Sequence, residues 1–222
     1  MLRRMEIEPP RDEHELRVRA HCLAGRTLDA IASEMGIDLA ETGVHTKGKV
    51  GTLLERALGA RGGSLARHDF PHLGIELKSI PIDQRGVPRE STFVCTVSIS
   101  DADAAEWSTS WARAKLAHVL WIPILTPQRR VENPVLWRPT AHQEAALAAD
   151  FDEIMGTIAV GGIEGLTART GRFLQLRPKA QDGTPRAFAY GAEGERIATV
   201  PRGFYLRARF TGAILRDPTA MP

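Results

Sequence analysis

The chain has 222 residues, which is enough for one domain, or for two lobes that share one core. Its 43% hydrophobic and 25% charged residues are ordinary for a globular protein, and no stretch approaches the roughly 18 unbroken apolar residues of a membrane span. Cys22 and Cys95 are the only cysteines, and the N-terminus lacks the apolar core of a signal peptide. We therefore expect a cytoplasmic protein without a disulfide framework.

Positive charge is unevenly distributed along the chain, although the net charge of +2 is small. Residues 163–222 contain 10 Lys or Arg against 5 Asp or Glu, whereas residues 99–162 contain 5 against 8. This asymmetry suits an anionic partner that approaches from one side. A solvated basic surface would have the same composition, so both interpretations stay open.

The hydrophobic pattern predicts a mixed α/β protein in one compact unit. Residues 1–11, with Pro9-Pro10 near their end, are predicted to form a flexible lead-in, and residues 12–222 a single domain. Helices are predicted over residues 12–24, 27–35, 50–58 and 140–158. Strands are predicted over residues 74–80, 91–97, 118–124, 172–177 and 203–209, with a hairpin turn at 83–86 between the first two and a loop around 180–195.

The segment from Asp69 to Lys78 contains the most informative chemistry. Side chains two residues apart in a strand point to the same side, so Glu76 and Lys78 share a face while Ile75 and Leu77 face the core. Asp69 precedes the strand, and a loop can fold its carboxylate back beside Glu76. Two close carboxylates repel each other, and a magnesium ion that binds both removes this conflict. Lys78 can then orient or deprotonate a water molecule and offset charge on a phosphate.

Other interpretations of these residues stay open. An Asp followed by Glu-x-Lys at loose spacing also fits a turn and a solvated strand face. Glu55, beside Leu54 at the edge of a helical apolar stripe, can supply a further acidic group or be an exposed helix residue. His68 and His72 suggest zinc by their spacing, but Pro71 between them opposes a continuous helix that would align both imidazoles.

Two predicted strands in the basic C-terminal stretch carry a further pattern. Arg177 and Lys179 share one side of their strand, and Tyr205, Arg207 and Arg209 alternate with apolar residues in theirs. Basic side chains with a tyrosine between them suit phosphate contacts plus a contact to a base edge. A solvated basic edge strand is the alternative.

Segments distributed from about Leu16 to Leu215 resemble the MutH family of endonucleases from methyl-directed DNA mismatch repair. They are TKGKVGTLLE at 46–55, residues 69–82, TFVC at 92–95, Lys115 ahead of LWIP at 120–123, QRRV at 128–131, LQLRPKA at 174–180 and PRGFYL at 201–206. The resemblance implies a restriction-endonuclease-like mixed β-sheet flanked by helices, with two lobes that form a DNA-binding cleft. This sequence departs from the family pattern at Thr46, where we expect an acidic residue, and at Lys49, where we expect an aromatic one.

The resemblance also implies roles for individual residues. The catalytic residues are Asp69, Glu76 and Lys78, with Glu55 as an additional acidic member, and one or two Mg²⁺ ions bind Asp69 and Glu76. The residues placed at the DNA are Lys47, Gly48, Lys115, Arg177, Pro178 and Tyr205; Lys115 contacts the phosphate backbone near the cut, and Tyr205 senses adenine methylation.

The activity implied is a nick in the unmethylated strand, 5′ to the G of a hemimethylated GATC site. The implied partners are double-stranded DNA and MutL, which activates the enzyme after MutS has found a mismatch. With one catalytic cluster, we expect a monomer that cuts one strand. Two alternatives are a GATC restriction endonuclease of the same fold and a non-catalytic DNA-binding regulator that uses helices 12–24 and 27–36 as a helix-turn-helix.

Overall fold

The computed structural model describes residues 7–39, 46–61, 67–179 and 187–222, and side chains from residue 48 onwards in the second of these ranges. The described chain is mixed α/β, as predicted. In chain order its helices and strands are α1 (Glu13–Leu23), α2 (Leu28–Glu34), α3 (Thr46–Leu58), β1 (Glu76–Ile82), β2 (Thr92–Thr96), α4 (Trp111–Leu116), β3 (Val119–Leu125), β4 (Arg130–Val131), β5 (Val135–Trp137), α5 (Ala141–Ala159), β6 (Leu174–Pro178), β7 (Ala187–Tyr190), β8 (Arg196–Thr199), β9 (Arg202–Leu206) and α6 (Ala208–Arg216).

The chain divides into two compact units. The first comprises Met1–Arg89 and His118–Arg138, and the second comprises Glu90–Ala117 and Pro139–Pro222. The predicted lead-in over residues 1–11, the single-domain boundaries and the predicted cleft stay predictions. No helix in the described ranges is long and apolar enough to cross a membrane.

The first unit is built around the parallel pair β1 and β3. Glu76 lies opposite Val119 at the start of the pair, and β4 and β5 join β3 by antiparallel pairing. Helices α1, α2 and α3 contribute the other side of the core, which is almost wholly aliphatic. Its most deeply buried members include Leu16, Ala20, Leu53, Leu54, Leu58, Ile75 and Ile122. This packing fixes β1 in place because apolar side chains beside Glu76 face the interior.

The second unit holds an antiparallel sheet in the order β2–β9–β6. One side of this sheet packs on α5, where the rings of Phe151 and Phe204 have centroids 5.3 Å apart. Helix α5 begins with a capping box between Thr140 and Gln143. The buried carboxylate of Asp150 on this helix accepts N–H bonds of 2.6, 2.6 and 2.8 Å from residues 172, 173 and 174, which fixes the chain where it enters β6.

The predicted hairpin between the first two strands is wrong. The turn itself forms, since the Asp83 N–H donates to the Val87 carbonyl at 3.0 Å and Pro88 bridges back to Ile82. Pairing ends there, and the chain continues into the second unit, where β2 pairs with β9. Strand β1 instead takes β3 as its parallel partner, so local turn chemistry identified the turn but not the pairing.

The predicted strand over residues 203–209 is also partly wrong. Strand β9 ends at Leu206 and Arg207 is the N-cap of α6, so Arg207 and Arg209 do not share a strand face with Tyr205. Their guanidinium groups serve the backbone: Arg207 donates to the carbonyls of residues 170 and 171, and Arg209 to that of residue 172. The predicted loop around 180–195 contains β7, which pairs with β8.

Candidate active site and nucleic-acid interface

A tight turn returns the chain from Asp69 to Glu76. Phe70 and Ile75 form an antiparallel bridge, with N–H···O distances of 2.9 and 3.3 Å, and Gly74 between them has a φ of +63°. A positive φ of this size favours glycine, because a Cβ would be strained there. Residues that flank an antiparallel bridge face each other, so the turn sets Asp69 opposite Glu76.

The side chains of the predicted catalytic group meet at this point. Oδ2 of Asp69 accepts the Leu77 N–H at 2.7 Å, which places its carboxylate against the peptide that joins Glu76 to Leu77. Nζ of Lys78 donates to Oε1 of Glu76 at 3.1 Å. Asp69 and Glu76 are only 8% and 5% exposed. The structure therefore brings Asp69, Glu76 and Lys78 together at the start of β1.

The chemistry of this donor set fits a magnesium ion. Mg²⁺ takes hard oxygen ligands, binds proteins through one or two carboxylates and keeps several of its waters. Asp69 and Glu76 offer two carboxylates, whose mutual repulsion a cation would relieve. Among the residues that the structure describes, no three His, Cys, Asp or Glu side chains are grouped to hold a metal ion. A zinc site built on His68 and His72 therefore has no third ligand in those ranges.

Glu55 lies on the helix that packs against β1, but it does not form a three-carboxylate group with Asp69 and Glu76. Its Oε1 is 3.7 Å from the position that a Cβ on Gly51 would take, so the side chain folds back along the helix by one turn. The catalytic role of Glu55 stays a prediction. Gly48 is exposed in the first turn of α3, and the side chain of Lys47 lies outside the described residues.

Lys115, the predicted phosphate contact, is buried in the second unit. The residue lies in α4 and is 8% exposed. Its Nζ lies 5.0 Å from the centre of the Trp111 ring. Such a cation–π contact stabilises an ammonium group that has lost much of its water. Its contact with DNA stays a prediction.

One face of the β2–β9–β6 sheet carries Arg177 and Tyr205, two of the other predicted DNA contacts. Two rows of directly opposite residues run across the strands, and opposite residues share a face. We call this surface the aromatic–cationic face; its rows are Phe93–Tyr205–Gln175 and Thr96–Gly203–Arg177. A register shift between Phe93 and Cys95 breaks the simple alternation of β2, so that both Phe93 and Thr96 are exposed on this face.

Aromatic rings and cations contact each other across this face. The rings of Phe93 and Tyr205 meet edge-on with centroids 5.3 Å apart, and the Arg177 guanidinium lies 5.7 Å from the Tyr205 ring centre. Nζ of Lys179 lies 5.0 Å from the Phe93 ring centre and donates to Oγ1 of Thr96 at 2.9 Å. Burial raises the pKa of the Tyr205 phenol, against the opposing effect of Arg177, so the hydroxyl keeps its proton for donation.

Phe93 and Gly203 are members of this face that sequence reasoning missed. A Cβ on Gly203 would lie 2.8 Å from Cε2 of Phe93 and 3.0 Å from the Cys95 carbonyl, so the Phe93 ring needs the space that glycine leaves. In the sequence, the only indication that Phe93 has a role was its position in the TFVC segment, which resembles the MutH family. Pro178 is exposed and lies opposite Arg202 at the end of the same sheet.

Comparison with known proteins identifies the family of this chain. Residues 58–150 match the family model described as DNA mismatch repair enzyme MutH. The chain is 46% identical over 213 residues to the DNA mismatch repair protein MutH of Serratia proteamaculans (strain 568), covering 93% of each chain. It is 44% identical over 215 residues to the protein of the same name from Escherichia coli (strain K12), covering 94% of each. The chain belongs to the MutH family of DNA mismatch repair enzymes.

The hydrogen bond between Asp69 and Leu77 generates a prediction about stability. Asp69→Asn keeps an oxygen that can accept the Leu77 N–H, whereas Asp69→Ala leaves a buried donor without its acceptor. We expect Asp69→Ala to lower the free energy of unfolding by about 1–3 kcal/mol and Asp69→Asn to lower it by less. Urea unfolding in the absence of divalent cations measures both. Equal losses in the two variants would show that the hydrogen bond does not hold the turn.

Proposed function

We propose that this chain is the strand-selective endonuclease of methyl-directed mismatch repair, which nicks the unmethylated strand 5′ to the G of a hemimethylated GATC site. The observation that carries the proposal is the contact of the Asp69 carboxylate with the Glu76–Leu77 peptide, beside the ion pair of Glu76 and Lys78. This arrangement occurs in a chain that is 44–46% identical to mismatch repair proteins over nearly its full length.

Asp69 and Glu76 are the proposed ligands for one or two Mg²⁺ ions. Each supplies carboxylate oxygen, and their burial excludes most competing water from the protein side of the site. When bound, magnesium supplies positive charge that polarises a phosphodiester and lowers the pKa of a water molecule. Glu55, on the helix that packs against β1, is the proposed additional acidic residue.

Lys78 has a separate task in this proposal. Its ammonium group lies 3.1 Å from the Glu76 carboxylate and its side chain is only 10% exposed, so its charge acts in surroundings where solvent screening is weak. As a cation it can orient the attacking water, favour loss of that water's proton by stabilising the hydroxide formed, and stabilise negative charge on the phosphate. A single group of this kind cuts one strand, which fits a monomer that leaves a nick.

The aromatic–cationic face is the proposed surface for GATC recognition. Arg177 and Pro178 lie at one end of β6, and Tyr205 lies between Phe93 and Gln175 in the middle of the sheet. Guanidinium and phenol groups donate to phosphates and to base edges. We further propose that Lys47 and Gly48 contact the DNA and that Lys115 contacts the phosphate near the cut.

Activation by a partner completes the proposal. The relatives are named for DNA mismatch repair. A nuclease that serves repair damages intact DNA unless its cutting is tied to the detection of a mismatch. We propose that MutL in its ATP-bound form activates this chain, after MutS has bound the mismatch, and that the enzyme acts on the chromosome in the cytoplasm.

The catalytic assignment is tested by nicking of a supercoiled, unmethylated GATC plasmid in Mg²⁺. We expect the wild type to give open-circle product, and Asp69→Asn and Glu76→Gln to lower the rate by about a thousandfold or more, because each removes a ligand that supports several kcal/mol of transition-state stabilisation. Both variants should still bind the DNA in a mobility-shift assay. Glu132→Gln, which removes a surface carboxylate paired with Arg130 in the same unit, is the matched control.

Each other outcome contradicts part of the proposal. Linear product at low enzyme concentration would indicate a restriction endonuclease, and binding without cleavage by the wild type would indicate a regulator. Normal rates in both the Asp69 and the Glu76 variants would contradict the site assignment.

Tyr205 generates a prediction about methylation. Tyr205→Phe keeps the ring contact with Phe93 but removes the hydroxyl, so we expect it to reduce the ratio of nicking rates on unmethylated and fully methylated GATC more than it slows nicking of the unmethylated site. Ser108→Ala, which removes an exposed hydroxyl of the second unit that the proposal does not place at the DNA, should leave this ratio unchanged. The assay compares initial rates on two duplexes that differ only in methylation. An unchanged ratio in Tyr205→Phe would exclude its hydroxyl as the sensor.

A further inference from the structure

The β7–β8 hairpin exposes an aromatic side that the function described above does not use. Phe188 and Tyr190 are 50% and 55% exposed, whereas Ala189 between them is buried. Arg196 lies opposite Tyr190, and Ala198 lies opposite Phe188, so these four residues share one side of the hairpin. Large apolar side chains that are exposed together mark interaction surfaces.

A cation is fixed on this aromatic side. The guanidinium carbon of Arg196 lies 3.7 Å from the centre of the Phe188 ring. Stacking on a ring uses the flat face of a guanidinium, so its N–H groups point outward along the edge, where they can donate to phosphate oxygens. The side therefore presents two aromatic rings and one oriented cation.

The hairpin is held at its tip. The Gly191 N–H donates to the Glu195 carbonyl at 2.8 Å, and the Glu195 carboxylate accepts the Glu193 N–H at 3.1 Å. Gly161, just after α5, has a φ of +80°, and a Cβ there would collide with the backbone of residues 191 and 192. This close approach fixes the tip against the end of α5, so the aromatic side is presented from a supported platform.

A groove of about 430 Å³ lies between the hairpin and the segment that follows β2. Its polar and aromatic lining consists mainly of Thr96, Ser98, Ser100, Phe188, Tyr190 and Arg196. Thr96 is also part of the aromatic–cationic face, where it accepts a hydrogen bond from Lys179. The hydroxyls of Ser98 and Ser100 donate to Asp101, the nearest acidic side chain along that segment. The groove thus continues directly from the face proposed to bind the GATC site.

We propose that this groove and the aromatic side of the β7–β8 hairpin bind the sugar–phosphate backbone of the DNA that flanks the recognition site. The inference rests on the proposed function and extends its DNA contact beyond the GATC bases. Continuity with the face that carries Arg177 and Lys179 favours DNA over a protein partner. Arg196 matches a phosphate, and the rings of Phe188 and Tyr190 match the apolar side of deoxyribose and of bases.

Binding of two hemimethylated GATC duplexes tests the proposal, measured by fluorescence anisotropy with Ca²⁺ in place of Mg²⁺. The short duplex ends close to the site, and the long duplex has about one helical turn more on each side. We expect the double variant Phe188→Ala, Tyr190→Ala to weaken binding of the long duplex about five- to tenfold and to leave the short duplex unaffected. Arg196→Gln should also make the slope of log K against log salt concentration for the long duplex less steep by about 0.9, the value for one lost phosphate contact.

Val160→Ala is the matched control, because Val160 is a 73% exposed apolar residue of the same unit outside the groove lining. Unchanged affinity for the long duplex in the variants would overturn the proposal, as would an equal loss for both duplexes. The variants could instead bind both duplexes normally and lose only the stimulation of nicking by added MutL. In that case the hairpin is a protein-docking surface and the proposal is wrong. Failure of the proposed function would be seen in a different assay, because the wild-type protein would then not nick GATC sites.

Discussion

The hydrogen bond from the Leu77 N–H to the Asp69 carboxylate closes the turn on which the proposed chemistry depends. It brings one buried carboxylate beside the strand residue that carries another, Glu76. Two such groups repel each other where little water screens them. The core holds them there, because β1 is fixed by parallel pairing to β3 and by the aliphatic side chains packed behind it. Folding therefore creates a site that the proposed divalent cation would stabilise, with Lys78 already offsetting part of the charge.

A second constraint shapes the surface proposed to read DNA. Because of the register shift in β2, Phe93 and Thr96 both lie on the same side as Tyr205, and Gly203 leaves the space into which the Phe93 ring fits. The buried carboxylate of Asp150 fixes the start of β6, the strand that carries Arg177. The backbone thus positions aromatic rings and cations on one face, and the groove beside the β7–β8 hairpin continues that face.

The sequence predicted the local parts of the site well. The alternation from Gly74 to Ile80 indicated a strand with Glu76 and Lys78 on one side, and their contact is present. Asp69 was expected to fold back beside Glu76, and its carboxylate touches the peptide that follows Glu76. Both expectations concern residues within ten positions of each other. Over that distance the two-residue alternation of a strand and the residue preferences of turns are sufficient to predict which side chains meet.

The pattern of hydrophobic and polar residues did not predict which distant strands pair or where a strand is irregular. The turn at 83–86 suggested a hairpin, but β1 pairs with a strand that lies more than thirty residues later. Arg207 continued the alternation of β9 in sequence, yet it is the residue at the N-cap position of α6 and its side chain donates to backbone carbonyls. Phe93 was missed because one extra residue in β2 reverses which side chains are exposed, and no composition signals such a shift.

The central claim is that Asp69 and Glu76 together bind at least one divalent cation. Mn²⁺ prefers the same carboxylate and water ligands as Mg²⁺ and scatters X-rays anomalously, so diffraction from crystals soaked in Mn²⁺ tests the claim directly. The account predicts an anomalous peak at coordination distance, about 2.0–2.3 Å, from a carboxylate oxygen of each residue, and no such peak in Glu76→Gln crystals. A peak elsewhere in the protein, with none at Asp69 and Glu76, would contradict the account.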